Sequence, residues 1–313
     1  MAKIKTKTSN LSFGQRVKKD FIRNYSLYLM FLPVLLYYIV IHYGPMYGAL
    51  MAFQDFKPQR GIWGSEWVGF EHFINFITSP SFFQILGNTL RISLFTLIFG
   101  WPAPIVLALL LNELRSEKYK KLVQNITYMP HFVSMVVVCG IIKTLTMDTG
   151  VIPAIMSWFG FERKTLLNYP QYFTTIYVVS NIWKEVGWGT IIYLAALTGV
   201  DQQLYEAAMI DGAGKWKQTL HVTLPSIIPT IVIMLIMRVG RMLSVGYEKI
   251  ILLYNNSTMS VADVISTYTY RKGLIELDWS YSAAIGIFNS VVNVIFVTAT
   301  NTISKKLNET SLW

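Results

Sequence analysis

Six apolar runs, at 27–43, 91–111, 130–145, 172–197, 224–245 and 281–303, are set apart by short segments rich in Lys and Arg. A bilayer core takes about 20 residues of helix, and inside it every backbone N–H and C=O needs an internal partner. Runs of this length therefore commit the chain to spanning helices. Composition agrees: 53% of the 313 residues are hydrophobic and only 14% are charged, too little charge to clothe a soluble body of that size. The net charge of +10 falls between the apolar runs, as membrane orientation signals do, and not in a stripe interleaved with aromatics, which argues against nucleic acid.

Orientation follows from that spacing. Fifteen Lys and Arg, among them Lys3, Lys5, Lys7, Arg16, Lys18, Lys19 and Arg23, lie on segments that a six-span reading puts inside, and seven on those it puts outside. The expected class is an all-α integral membrane protein with six transmembrane helices and both termini cytoplasmic. The basic lead-in runs into a full-length span without a small-residue cleavage site, so it reads as retained.

Several local features bear on how the spans pack. Pro33 predicts a bend in span one, and Trp101-Pro102-Ala103-Pro104 breaks two ladder bonds of span two, which neighbouring helices must cover. Between the first two spans, Trp63, Trp67, Phe70, Phe73 and Phe76 suit the outer headgroup zone, either as anchors or as rings that stack on sugar. Phe70, Phe73 and Ile77 share helical spacing. Pro130 is a good first-turn residue for span three, Lys143 can snorkel, and a further outer helix is expected around 152–159. The single Cys139 lies in an apolar run and reads as a buried inert thiol.

Span four is the unusual one. Asn181, Lys184 and Glu185 stand some 15 to 20 Å from its outer end at about 1.5 Å per residue. Ionisable groups at that depth face a bundle interior or a watery path. Neighbours on a helix point about 100° apart, so Lys184 and Glu185 are each expected to find a partner on another helix. Two readings stand side by side: a hydrophilic patch on a translocation path, with Trp183 and Trp188 as stacking rings, or a polar clamp between helices. Gly187 and Gly189 let another backbone come close. In span five, Arg238 and Arg241 either snorkel or meet Glu185 or an anionic substrate.

One polar segment is wedged between spans four and five: Leu204 to Pro229, LYEAAMIDGAGKWKQTLHVTLPSIIP. Asp201 sits where a helix N-cap belongs and Gly212 where a left-handed C-terminal turn belongs. The short helix between them carries Glu206 and Asp211, so no bilayer core would hold it. Glu206-Ala207-Ala208, then Gly212, then Leu224-Pro225 closely resemble the EAA loop of permease subunits of bacterial binding-protein-dependent ABC importers. Val222 stands where the usual pattern has Ile. GNTLRISLFTLIFGWPAPIVLALLLNEL, YMPHFVSMVVV, NIWKEVGWGTIIYLAAL and the closing YSAAIGIFNSVVNVIFVTATNTISKKLNETSLW are similar to the carbohydrate-uptake members, the oligosaccharide and polysaccharide branch.

The resemblance implies a type I ABC importer permease fold in a bacterial cell membrane. It divides the chain into a cytoplasmic segment (1–26), a first helix with an outer aromatic loop (27–84), a five-helix core (85–304) with its coupling loop at 201–225, and a tail (305–313). It assigns ATPase coupling to Tyr205, Glu206, Ala207, Ala208, Met209, Asp211, Gly212, Ala213 and Gly214. It leaves Asn181, Trp183, Lys184, Glu185 and Trp188 as candidates for the substrate path. The implied partners are a second, non-identical permease subunit, two ATPase subunits, an extracellular solute-binding protein and the lipid bilayer, with no nucleic acid. The chain is not expected to be catalytic, to bind a metal or to bind a cofactor; ATP and Mg belong to the ATPase subunits, since no GxxxxGK[ST] occurs here. The rivals are a membrane-embedded enzyme, disfavoured because His42, His72, His131 and His221 lack ligand spacing, and a secondary transporter or channel, which has no use for the 204–214 protrusion.

Overall fold

The computed structural model describes residues 12–308, and these are helical almost throughout. Lys3, Lys5 and Lys7 of the expected lead-in, and residues 309–313 of the tail, lie outside the described residues. Helices α1 (Phe13–Arg23) and α2 (Tyr25–Tyr37) meet at Asn24, whose amide donates to Asp20 at 2.7 Å. Pro33 sits inside α2 without ending it; a wide π turn over Tyr38–Tyr43 follows, and helical backbone runs on to Phe53. The apolar stretch of this first span buries none of its residues within the chain.

In the outer loop, strand β1 (Gln54–Asp55) pairs antiparallel with β2 (Glu66–Trp67), and α3 (Glu71–Ile77) forms where the aromatic spacing called for a helix. Phe53, Phe70 and Phe73 pack ring against ring at 5.3–5.6 Å, while Trp63 and Trp67 stay exposed. Phe76 departs from the expected headgroup anchor. It is buried against Phe82, Tyr268, Tyr281 and Phe288, because α3 lies on the last helix of the chain and turns that face inward. Farther along the chain, Arg271 pairs with Asp263 at 2.6 Å, and that hydrogen bond raises the guanidinium pKa above its ordinary value.

Span two is α4 (Phe82–Gly100) and α5 (Pro102–Glu113), longer than expected and interrupted at Trp101. Pro104 has no N–H for the Gly100 carbonyl four residues back. Arg238 takes that carbonyl, donating to Gly100 O at 3.4 Å and to Thr96 O at 3.3 Å. Of the readings open for Arg238, snorkelling does not hold: its cation sits at the carboxyl end of α4, where the helix dipole is negative.

The segment expected as a basic loop forms α6 (Glu117–Tyr128), capped by Ser116. Span three then starts later than Pro130, because Met129–Phe132 winds as a 3-10 turn and Ser134 caps α7 (Met135–Thr146), accepting from Val137 N. The expected outer helix is α8 (Val151–Trp158). Helix α9 (Pro170–Thr198) is the axis of the bundle, packing against α4, α5 and α6. Among the described residues, five other helical stretches are long and apolar enough to cross a membrane; α9 is not among them, and it carries Asn181, Lys184 and Glu185 near its middle.

After α10 (Gln202–Ile210), span five is α11 (Leu224–Val239), which ends earlier than the expected Val245. Residues 240–246 leave the helix before α12 (Tyr247–Leu253). Helix α13 (Ile265–Tyr270) and the long α14 (Trp279–Asn308) complete the described chain. Two clusters along α9 hold it in place: Phe173, Tyr177 and Val178 against Ile92, Val138, Ile250 and the buried Cys139, and Tyr193 and Leu197 against Ile105, Ala108 and Ile227. Lipid tails are as apolar as these side chains, so packing rather than escape from water holds the helices together.

Candidate functional site

Helix α10 protrudes from the bundle with none of its residues fully buried; Tyr205 alone packs against the cluster of Leu197, Val200 and Ile227. Asp201 caps it, accepting from Gln203 N at 3.0 Å. Its far end closes in two nested bonds, Gly212 N to Met209 O at 3.0 Å and Ala213 N to Ala208 O at 2.8 Å, with Gly212 at φ +74°. That left-handed turn is cheap only for glycine. Two further bonds tether α10 to the body: Tyr205 Oη to Thr223 Oγ1 at 2.9 Å, and Gln218 Nε2 to Ala213 O at 2.7 Å. Lys215 reaches Glu113 at 3.5 Å, so the protrusion sits at the end of the bundle where α5 finishes.

Tyr205 and Ala208 face back towards the body, while Glu206, Ala207, Asp211 and Gly214 are exposed and Met209 and Ile210 hold apolar surface in the open. Exposed Met209 and Ile210 thus stand beside the Glu206 and Asp211 carboxylates on a helix closed at both ends. It lies neither among the spans nor flat against them.

The second site is inside the bundle. At about 100° per residue, Tyr177, Asn181, Lys184, Glu185 and Trp188 share one face of α9, and Trp183 points the other way. Lys184 is buried; its Nζ donates to His131 O at 2.9 Å and to Glu185 Oε1 at 3.1 Å. Lys184 and Glu185 therefore pair with each other, against expectation, because the four-carbon stem of lysine bridges the angular offset. Each also has the expected partner on another element, and it is the same residue: His131 Nδ1 lies 2.8 Å from Glu185 Oε2. Trp188 stacks on the His131 ring at 4.4 Å and 1°, with its own ring half exposed.

Trp183 is separate from this group. It lines an apolar recess with Ile141, Leu145, Met156 and Tyr172. Asn181 instead lines a polar cavity with Arg238 and Arg241. Sequence reading missed His131 and Lys249. His131 showed no motif, and only the 3-10 turn at Met129–Phe132 delivers it to α9. Lys249 reads as part of an outer loop, yet it is buried and donates to Tyr177 O at 3.0 Å.

Residues 105–309 match the family model for the binding-protein-dependent transport system inner membrane component. The chain belongs to that family. The permease is 45% identical over 288 residues to Protein LplB of Bacillus subtilis (strain 168), a match that covers 92% of this chain and 91% of that one. It is 44% identical over 300 residues to the polygalacturonan/rhamnogalacturonan transport system permease protein YteP of the same organism, covering 96% and 94% of the two chains. Among solved structures, a chain of a bacterial alginate ABC transporter in complex with an alginate pentasaccharide-bound periplasmic protein superposes with a TM-score of 0.86 at 42% identity, over 95% of this permease and all 100% of that chain. The permease thus has the expected ABC importer fold, as a multi-pass helical component of the inner membrane.

Proposed function

We propose that this permease is the saccharide-conducting subunit of an ATP-driven importer and that α10 is its grip on the motor. The observation that carries this is the protruding helix Gln202–Ile210, ended at Asp201 and Gly212, which turns Tyr205 and Ala208 to the body and leaves its other residues exposed. Within Tyr205 to Gly214, Glu206 is the charged contact to an ATPase subunit and the exposed Ala207, Met209, Asp211, Gly212 and Gly214 form the face it meets, while Tyr205 and Ala208, which face the body, and Ala213 hold the helix in place. ATP and Mg reside on two such ATPase subunits. Closing of the ATPase pair pushes α10, and the two bonds at Tyr205 and Gln218 pass the push to the start of α11. A bundle with two packings, biased at one end by nucleotide and at the other by a loaded binding protein, gives alternating access.

The saccharide class rests on the relatives, which include a polygalacturonan/rhamnogalacturonan permease and an alginate importer. The path runs along the face of α9 that carries Asn181, Glu185 and Trp188, with Lys184 fixing Glu185 to His131 from behind. The unburied first span and the exposed apolar surfaces of the bundle suit a second, non-identical permease subunit, and the outer loops suit the solute-binding protein. The test is purification of the tagged chain with its ATPase, in wild type and in Glu206→Lys and Gly212→Pro. Loss of the ATPase and of ATP-coupled uptake in both variants is the expected result; full uptake in both would overturn the coupling assignment.

A further inference from the structure

Helix α1 keeps its apolar and its cationic side chains apart and leaves both uncovered. Val17 and Phe21 are exposed on one side. Gln15, Lys18, Lys19, Ile22 and Arg23 line a shallow, open trough along the other, as steps of about 100° per residue require. Among the described residues neither Lys18 nor Lys19 forms an ion pair, and Arg23 has only Asp20, at 4.0 Å. Over residues 1–23 the sequence holds seven Lys and Arg against one carboxylate, that of Asp20.

Asp20 belongs to the joint with the first span. Its carboxylate accepts from Asn24 Nδ2 at 2.7 Å and from Tyr28 Oη at 2.6 Å, which ties the last turn of α1 to the first turn of α2. Phe21 packs on Tyr28 with ring centroids 4.9 Å apart. The apolar side of α1 therefore runs on into the surface of a span that buries none of its residues within the chain. Arg23, Lys19 and Lys18 precede Tyr25 by two, six and seven positions, so none stands farther from it than about 11 Å along the axis. A charged surface is felt over about 10 Å at ordinary ionic strength.

A basic amphipathic helix so placed lies against the headgroup layer with its apolar side towards the acyl chains, and Lys and Arg clustered beside a span attract anionic lipid. We propose that α1 is an anchor for anionic phospholipid, whose headgroup phosphates lie in the trough of Lys18, Lys19 and Arg23, and that the Asp20 joint passes this hold to the first span. An acidic protein surface would match the charge of the trough. It would not account for Val17 and Phe21, whose exposed side continues through Tyr28 into the apolar surface of the span. The inference goes beyond the importer reading and is independent of what is carried.

The experiment uses the complete transporter in nanodiscs of phosphatidylcholine with about one third phosphatidylglycerol. The complex is extracted again in mild detergent, and the lipid that stays with it is counted by headgroup. Wild type should keep phosphatidylglycerol at least threefold over the ratio supplied. Lys18→Gln, Lys19→Gln and Arg23→Gln combined should remove at least half of that enrichment, and Lys18→Arg with Lys19→Arg should keep it, which separates charge from side-chain identity. A nitroxide on Val17→Cys, in a Cys139→Ser background, should collide with oxygen relative to an aqueous nickel chelate at least twofold more often than one on Gln15→Cys. Equal enrichment in wild type and the triple Gln variant, or equal collision ratios at the two positions, overturns the proposal. Loss of a protein subunit from the triple Gln variant with its lipid enrichment intact overturns it too, and makes the trough a protein contact.

Discussion

Gly187 and Thr127 meet backbone to backbone: a Cβ placed on Gly187 would stand 2.1 Å from the Thr127 carbonyl oxygen. This contact lets α6 lie directly on α9, and it fixes where the 3-10 turn after Tyr128 releases His131. The polar cluster of His131, Lys184, Glu185 and Trp188 is therefore placed by a glycine that takes no part in its hydrogen bonds.

Gly187→Ala should destabilise the α6–α9 packing by about 1–3 kcal/mol, the usual cost of overpacking a close contact. The measurement is thermal unfolding of the purified complex in detergent, with Gly14→Ala as the control, since nothing lies within 4 Å of a Cβ there. An unchanged midpoint would mean that the two helices part readily at this crossing.

Asp201→Ala removes the cap of α10 and should cost about 1 kcal/mol of local helix stability. Amides of residues 203–206 should then exchange with solvent roughly fivefold faster, while those of α9 stay as they are. Exchange at the wild-type rate would show that tertiary contacts, not the cap, hold the start of α10.

Gly212→Val puts a β-branched side chain at φ +74°, a conformation costing about 1 kcal/mol or more for such residues. The variant should insert and pair with its partners, yet stimulation of ATP hydrolysis by the binding protein should fall several-fold. Stimulation at the wild-type level would remove the rigid end of α10 from the mechanism.

Lys184→Met removes a buried ammonium and leaves His131 O without that donor, which should cost about 1 kcal/mol, since the half-exposed Glu185 carboxylate can turn to water. Glu185→Leu should impair transport more than assembly. A double-mutant cycle with His131→Leu separates the roles: coupling in stability with unchanged uptake kinetics would reduce Glu185 and His131 to a clamp.

Arg238→Leu returns the Gly100 carbonyl to an unpaired state beside Pro104 and should lower stability by about 1–3 kcal/mol. Pro104→Ala in the same background restores an N–H for that carbonyl and should recover part of the loss. No recovery would show that Arg238 acts elsewhere than on the α4 end.

Local chemistry made some of this protein legible from its residues. Apolar run length and the Lys and Arg bias depend on the bilayer alone, and the ends of α10 depend on side chains a few positions away, so the spans, Asp201 and Gly212 could be read directly. The break at Trp101 was also local, because it follows from two missing N–H groups. Only the tertiary structure decided who answers those local demands. Arg238 meets the orphaned Gly100 carbonyl from 138 positions along the chain, Phe76 turns out to be core, and Lys249 shares a cavity with Asn181. Such contacts are set by how the helices cross, and a crossing is a property of two distant faces that no single stretch of sequence contains.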